Sequence, residues 1–553
     1  MKESPRGADM LVRSIRLAGI SKIFTLSGNH IMPVYDAVFD EKLELIHTRH
    51  EGAAVHMADA WARLTGGVGL ALVTGGPGHA NAISALYTAS MSESPVVLLS
   101  GHAPSNQRGW GAFQEMDQVA MAQPVVKVAW VATSADTIAA DFARACQIAL
   151  SGRPGPVHLS LPTDVLEALT LATELPALSA YQVVAQELMP EAAQALLARL
   201  NQARRPIIVV GPQGLTDHGR SAVQQLESAL GIPVVATESP RGSNDPALGA
   251  FAPVLASADC ILLVGKRLDF TLGFGRAPVF AADSTFLQID ADPAEFDRSS
   301  QAVEGRLQAR EQADALTALA SLTRAAHDAP GHQTKGVAGG QYTAWLTQVK
   351  DAIAYRPSDW NSSVQATTGC IHPAQLCLTV QPLLDSHPDA VLVVDGGEFG
   401  QWAQACLDAP HRVINGAAGA IGAALPMAVA AKLAYPEAPV VALMGDGTFG
   451  FHCAELDTAV RYQAPIVCVV GNDACWNAEH QIQLRNYGAD RAIGCELLPS
   501  RYDHVAAAFG GHGEYVDSLN ALPQALQRAA SMNVPSCVNV ALEGLPAPVV
   551  RLP

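Results

Sequence analysis

Val440-Val441-Ala442-Leu443-Met444-Gly445-Asp446-Gly447 decides the architecture. Five apolar residues read as a buried strand, which ends in a carboxylate held between two glycines where the chain turns tightly. A helix-compatible stretch follows, from about Cys453 to Tyr462, and a second apolar run, Ile466 to Val470, ends in Gly471-Asn472-Asp473. Together they form one βαβ unit of about 30 residues, whose crossover sets two parallel strands side by side or nearly so. Asp446 and Asp473, 473 − 446 = 27 residues apart, are expected beyond the carboxyl ends of neighbouring strands, the edge where open α/β sheets bind ligands. Two oxygen donors and backbone carbonyls there suit a hard divalent cation, above all magnesium holding a diphosphate. The plainer alternative is that both aspartates cap turns.

The same alternation of short apolar runs and Ala-rich amphipathic stretches extends along all 553 residues and predicts an α/β protein of doubly wound parallel sheets. A helix is expected from Met10 to Ala18, and strands at Lys22–Leu26, Gly69–Thr74, Val96–Ser100 and Pro156–Pro162. A second series has strands at Pro206–Gly211, Cys260–Gly265 and Phe286–Asp290; a third has them at Ala390–Asp395, Val440–Met444, Ile466–Val470 and Cys537–Ala541. Linker-like composition around Leu175–Ser179 and from Ala326 to about Gln341 divides the chain into three domains, 1–178, 185–328 and 345–553.

Composition sets the limits. With 49% hydrophobic and 16% charged residues there is ample material for large cores, and a disordered chain is excluded. A net charge of −17 argues against nucleic acid or an anionic membrane surface as the partner. No signal peptide is visible, and no uncharged apolar run reaches the roughly 18 residues of a membrane span. The ten cysteines form no CxxC pair, and their spacing fits no zinc pattern. Buried thiols in a soluble, cytoplasmic protein are the expectation.

Two further segments carry chemistry. In Thr48-Arg49-His50-Glu51-Gly52-Ala53-Ala54, Glu51 stands at an expected helix start. Its carboxylate either complements the helix dipole or is a buried acid that desolvation keeps protonated near neutral pH. Thr74-Gly75-Gly76-Pro77-Gly78-His79-Ala80-Asn81 reads as a glycine-rich turn into a helix, able to approach a flat ligand closely.

Taken together, Gly445-Asp446-Gly447, the second donor at Asp473, the Glu51 segment and Gly76-Pro77-Gly78 resemble the thiamine-diphosphate-dependent enzymes, in particular the acetolactate synthase, benzaldehyde lyase and 2-hydroxyacyl-CoA lyase group. The resemblance spans nearly the whole chain. It implies pyrimidine-binding, central and diphosphate-binding domains in that order, and an active site between two subunits: at least a homodimer, commonly a homotetramer. It further implies that Asp446, Asp473 and the Cys475 carbonyl hold Mg²⁺ and that Glu51 hydrogen-bonds the pyrimidine ring from the opposite subunit. Ile421, in Gly419-Ala420-Ile421-Gly422, matches the apolar wedge that bends the coenzyme, and is otherwise plain core. Gly28, Gly78, Asn81, Gly397, Glu398, Gly419, Gly445, Gly447, Thr448 and Trp476 complete the expected coenzyme contacts. Where Asp473 stands the family usually has asparagine, although some acyl-CoA-lyase-like members share Asn-Asp-Ala; the extra charge tightens a cation and repels a diphosphate.

His30, after Gly28-Asn29, falls where benzaldehyde lyase has an active-site histidine, and Gln114, in Phe113-Gln114-Glu115, resembles a segment of acetolactate synthases. Both are candidate catalytic residues beside Glu51. Gly400 replaces a pocket tyrosine of benzaldehyde lyase, which is expected to open space. No His-His pair supports a pyruvate-decarboxylase-like reading, and only single basic residues such as Lys266 and Arg267 offer themselves to CoA phosphates. The expected reaction makes or breaks a C–C bond beside a carbonyl of a small-molecule 2-keto acid or 2-hydroxy ketone, with 2-hydroxyacyl-CoA cleavage the nearest alternative. FAD in the central domain, as in related oxidases, is left open but not expected. A non-catalytic protein retaining the fold is the remaining reading.

Overall fold

The computed structural model describes residues 4–172, 174–328, 341–361 and 370–551. The expected second linker lies largely outside them. Three sheets follow one another along the chain, and all pairings between their strands are parallel. The first holds β1 (Lys22–Thr25), β2 (Glu44–His47), β3 (Gly69–Val73), β4 (Val96–His102), β5 (Ala129–Val131) and β6 (Val157–Pro162) in the order β2-β1-β3-β4-β6-β5. The second holds β7 (Pro206–Val210), β8 (Val234–Ala236), β9 (Cys260–Val264), β10 (Thr285–Asp290) and β11 (Leu307–Gln312), ordered β11-β10-β9-β7-β8. The third holds β12 (Val391–Val394), β13 (His411–Ile414), β14 (Val440–Gly445), β15 (Val467–Asn472), β16 (His512–Val516) and β17 (Ser536–Ala541), ordered β13-β12-β14-β15-β17-β16.

Continuous apolar strands arise because both faces of each sheet are covered. In the first sheet Phe24, Ala71, Val73 and Leu98 enter one core, while their neighbours Ile23, Leu70, Leu72 and Leu99 enter another. The second sheet divides likewise, with Ile208, Leu262 and Leu287 on one side and Ile207, Ile261 and Phe286 on the other. These are the alternating sides of a strand, each packed under helices.

Residues 1–183 and 363–547 form one compact unit, and 184–362 with 548–553 form a second. In the first unit a single core joins the first and third sheets: the helix Glu51–Thr65 packs on the helix Ala424–Ala434, burying Ala54, Val55, Ala58, Leu425, Ala428 and Val429. Small side chains let these helices approach closely. Within the second unit the helix Thr343–Ala354 docks through Trp345, Val349 and Ala352, and Trp345 Nε1 donates to Pro206 O at 2.7 Å. The expected domain start at residue 345 therefore falls inside a helix of the central unit.

One side chain ties the outer edge of the first sheet to the third. The Tyr462 hydroxyl donates to Leu45 O at 2.7 Å and accepts from His47 N at 2.7 Å, satisfying backbone groups of β2. Tyr462→Phe removes both bonds and leaves an N–H and a carbonyl of β2 without them; a loss of about 1–3 kcal/mol is expected, read by chemical denaturation, and unchanged stability would contradict this role.

Candidate active site

In a doubly wound sheet the ligand crevice lies where the chain order reverses, beyond the carboxyl ends of the strands. The third sheet reverses between β12 and β14, and the first between β1 and β3. The candidate residues gather at these two places.

At the third sheet, β14 pairs with β15 with Gly445 opposite Gly471, so Asp446 and Asp473 leave adjacent strand ends as expected. Asp446 opens the helix Asp446–His452 directly, and a second helix, Glu455–Arg461, follows. The helix expected over Cys453–Tyr462 is Glu455–Arg461, and a further short helix precedes it, starting at the aspartate because Gly445, in extended backbone, caps it. Asp446 is 1% exposed, and its Oδ2 is buried without a hydrogen-bond donor. The two carboxyl groups face each other at hydrogen-bonding range, and the Cys475 amide reaches both. Burial raises the pKa of each, and the charge of Asp446 adds to the rise at Asp473. A buried and a half-buried acid side by side, with an orphaned oxygen on the first, fit a cation between them. The donor set is oxygen only: burial raises the Cys475 thiol to about 11, leaving its carbonyl as the ligand it offers. Among the described residues no cluster of three or more His, Cys, Asp or Glu side chains suits a metal, so a cation here would need further ligands from backbone or from a bound molecule.

The turn bearing this site is tight. Ala474, without being glycine, has φ 54°, a left-handed conformation that costs on the order of 1–2 kcal/mol and clusters at functional positions. Trp476 lies against Gly447, where a Cβ would stand 2.6 Å from the ring. A Cβ on Gly445 would meet nothing within 4 Å, so the strand end is open. The Thr448 hydroxyl turns back to Gly445 O at 3.0 Å. Beside them, Gly397 (φ 83°) and the buried Glu398 open the helix Gly397–Cys406 after β12. Gly419 is exposed with φ 68°, and Ile421 packs toward Gly396. Gly400 is not a pocket position: a Cβ there would stand 2.0 Å from Asp395 O, so this glycine serves helix packing.

Sequence reading passed over Asp395. It is 0% exposed; Oδ1 accepts from Gly396 N at 2.7 Å and Gly422 N at 3.0 Å, and Oδ2 from Ala424 N at 3.0 Å. Burial raises its carboxyl to about 6 against the pull of these three amides. The signal was present, since Val394-Asp395-Gly396 repeats the strand–carboxylate–glycine pattern of Gly445-Asp446-Gly447.

At the first sheet, Glu51 is the first residue of its helix, capped by His50 Nδ1, which accepts from Gly52 N at 3.0 Å. Glu51 is 8% exposed, and its Oε2 accepts from Asn81 Nδ2 at 3.0 Å. A Cβ on Gly78 would stand 3.2 Å from Glu51 Oε1, and one on Gly28 would strike Thr74 at 2.3 Å, so both glycines are required by close approach. His30 reaches Thr74 Oγ1 at 3.4 Å and stacks on Phe113 at 6.1 Å between ring centroids; burial lowers its pKa, and it is neutral at pH 7. Gln114 has φ 58° and lies over Gly76, whose Cβ would meet Gln114 O at 2.7 Å. Gly28, His30, Glu51, Gly78, Asn81 and Gln114 thus form one cluster.

Among the described residues no hydrogen bond or ion pair joins Glu51, His30 or Gln114 to Asp446 or Asp473. The sheets touch behind them instead. Glu455 accepts from Arg49 N at 3.0 Å, His50 and His452 lie 5.5 Å apart, and Arg63, paired with the buried Asp59, donates to Ile414 O at 2.6 Å. In the central unit, Lys266 donates to Thr271 Oγ1 at 2.9 Å and Arg267 to Glu295 Oε1 at 3.1 Å, so both cations considered for CoA phosphates have internal partners.

A doubly wound α/β chain with a carboxylate pair at one switch point and a buried acid at another is an enzyme of the coenzyme-binding kind. Family models of the thiamine pyrophosphate enzymes match it in order: the N-terminal TPP-binding domain over residues 5–121, the central domain over 193–319 and the C-terminal TPP-binding domain over 395–540. A probable acetolactate synthase of Mycobacterium bovis is 33% identical over 96% of this chain and 94% of its own length. A 2-hydroxyacyl-CoA lyase 2 of Caenorhabditis elegans is 30% identical over 98% and 90%. The chain belongs to the thiamine-pyrophosphate-dependent enzymes, and it makes or breaks a C–C bond. The solved Rhodococcus jostii thiamine-diphosphate-dependent 4-hydroxybenzoylformate decarboxylase superposes with a TM-score of 0.78 at 22% identity, covering 97% of this chain and 99% of that one, and shares the fold. Among the described residues no helix is long and apolar enough to cross a membrane.

Burial raises Glu455 from 4.5 to about 7, against hydrogen bonds from Thr458, Arg49 and His50 and the charge of Arg461. Between these values the folded state binds a proton that the unfolded state releases, so this group's contribution to stability grows as pH falls from 8 to 5. The stability difference between wild type and Glu455→Gln is expected to move toward wild type by up to about 3 kcal/mol over that range, measured by denaturation at each pH; a constant difference would contradict it.

Proposed function

We propose that this enzyme uses thiamine diphosphate and Mg²⁺ to make or break the C–C bond beside the carbonyl of a 2-keto acid or 2-hydroxy ketone, in the manner of acetolactate synthase or benzaldehyde lyase. The observation that carries this is the pair of the buried Asp446 and the half-buried Asp473 at adjacent strand ends, with one Asp446 oxygen left without a donor. Thiamine diphosphate, when bound, would supply the nucleophilic carbon and the electron sink for this chemistry.

The chain's own groups bind and orient. Asp446, Asp473 and the Cys475 carbonyl hold Mg²⁺; Gly397, Glu398, Gly419, Gly445, Gly447, Thr448 and Trp476 surround the diphosphate end, and Ile421 is the wedge that bends the coenzyme. Gly28, Gly78 and Asn81 shape the pocket for the pyrimidine, and Glu51, oriented by Asn81, holds and exchanges a proton there. Neutral His30 and Gln114 face the substrate carbonyl. Because no hydrogen bond or ion pair joins the two clusters among the described residues, the working particle is a homodimer with shared sites, assembled as a homotetramer. Dispersed cysteines accord with a cytoplasmic location.

A 2-hydroxyacyl-CoA lyase is the second reading, favoured by Asp473 where the family usually has asparagine and by the similarity to the Caenorhabditis elegans protein. Product masses from pyruvate, benzoin-type ketones and 2-hydroxyacyl-CoA distinguish the two.

Glu51→Gln is expected to keep coenzyme binding while turnover falls at least about 100-fold; undiminished turnover would refute the proton role. Mixing Glu51→Gln with Asp446→Ala subunits is expected to restore activity, because a mixed dimer has one intact site; no restoration after subunit exchange would place each site within one chain.

A further inference from the structure

The loop from Asn415 to Gly422 holds the wedge Ile421, yet its backbone is among the least self-supporting near the site. Gly416, Gly419 and Gly422 have φ of 67°, 68° and 87°, and Gly419 is exposed with open space around it. Three left-handed glycines in seven residues give this segment much conformational freedom to lose. Its fixed shape comes from side chains outside the wedge. Asn415 Nδ2 donates to Ala420 O at 2.6 Å, and His452 Nδ1 donates to Gly422 O at 2.7 Å. Asp395 accepts from Gly422 N on one side and from Gly396 N on the other, and its second oxygen holds Ala424 N, the first residue of the next helix. The peptide groups on both sides of Ile421 are thereby pinned, and its Cγ2 lies 3.0 Å from where a Cβ on Gly396 would stand.

We propose that Asp395 is a positioning residue for the reaction: its carboxylate binds three backbone amides, one from its own turn and two from the segment Gly422–Ala424, into one clamp that sets the place of Ile421 against the coenzyme. The inference rests on Ile421 acting as the wedge. A carboxylate suits this better than an amide, since both oxygens accept while an asparagine would turn its NH₂ toward an amide donor. Retaining a fully buried carboxylate with no cationic partner among its hydrogen bonds is costly, which fits a role in the site more than one in stability.

The test is a double-mutant cycle of Asp395→Asn and Ile421→Ala in the enzyme loaded with thiamine diphosphate and Mg²⁺, with Asn415→Ala as a second perturbation of the same loop should Asp395→Asn fold poorly. Asp395→Asn is expected to lower kcat on the order of 10–100-fold while coenzyme Kd by calorimetry changes less than about threefold, and to add little in the Ile421→Ala background. In coenzyme-free protein, amide exchange is expected to quicken over residues 415–424 and to stay unchanged in β14 and β15. Additive losses of kcat, an unchanged kcat, or exchange that rises throughout the domain would overturn the proposal. Should wild type bind no thiamine diphosphate, the functional reading fails, and the exchange measurement alone still decides whether Asp395 pins the loop.

Discussion

Two carboxylates facing each other, Asp446 buried and Asp473 half-buried, are the constraint on which the rest of this structure depends. Burial and mutual repulsion both disfavour their ionised forms, and Oδ2 of Asp446 has no donor to repay its desolvation. Such a pair is relieved by a proton on one acid or, as proposed above, by a cation between them. Parallel strands put it there: β14 and β15 run side by side in register, so residues just past their ends emerge together. The left-handed backbone at Ala474 brings the second acid and the Cys475 peptide around to the first.

The fold also explains why the acid half and the cation half share no bond within one chain while remaining mechanically joined. Glu51 begins the helix Glu51–Thr65, which packs on the helix Ala424–Ala434. From that helix Arg63 reaches the end of β13, and the residues just before it bond to Glu455. The face bearing Glu51 is thus held by the third sheet without touching Asp446. The proposed homodimer would close two such half-sites against each other.

The central strands of every sheet were legible from the amino-acid order, whereas the six at the edges, β2, β5, β8, β11, β13 and β16, were not. For most of them the physical difference is burial, while β8 is largely buried but only three residues long. A central strand such as Gly69-Leu70-Ala71-Leu72-Val73 is buried throughout and reads as an apolar run, while the edge strand Leu307-Gln308-Ala309-Arg310-Glu311-Gln312 is half exposed and polar. Asp446, Asp473 and Glu51 were legible because glycines and spacing mark them. Asp395 was not singled out, because its partners are backbone amides that only the fold supplies. The close approaches at Gly28, Gly78 and Gly400 depend likewise on tertiary packing, and for Gly400 this reverses the expected reading from pocket to helix contact.

The central claim is that the strand-end acids are a cation site that secures a diphosphate. Titration calorimetry of the wild-type protein with thiamine diphosphate, in Mg²⁺ and again in excess chelator, tests it most directly. The account predicts binding in Mg²⁺ that is lost in chelator and lost in Asp446→Ala under both conditions. Equal affinity with and without the divalent ion, or an Asp446→Ala protein that binds as wild type does, would contradict it.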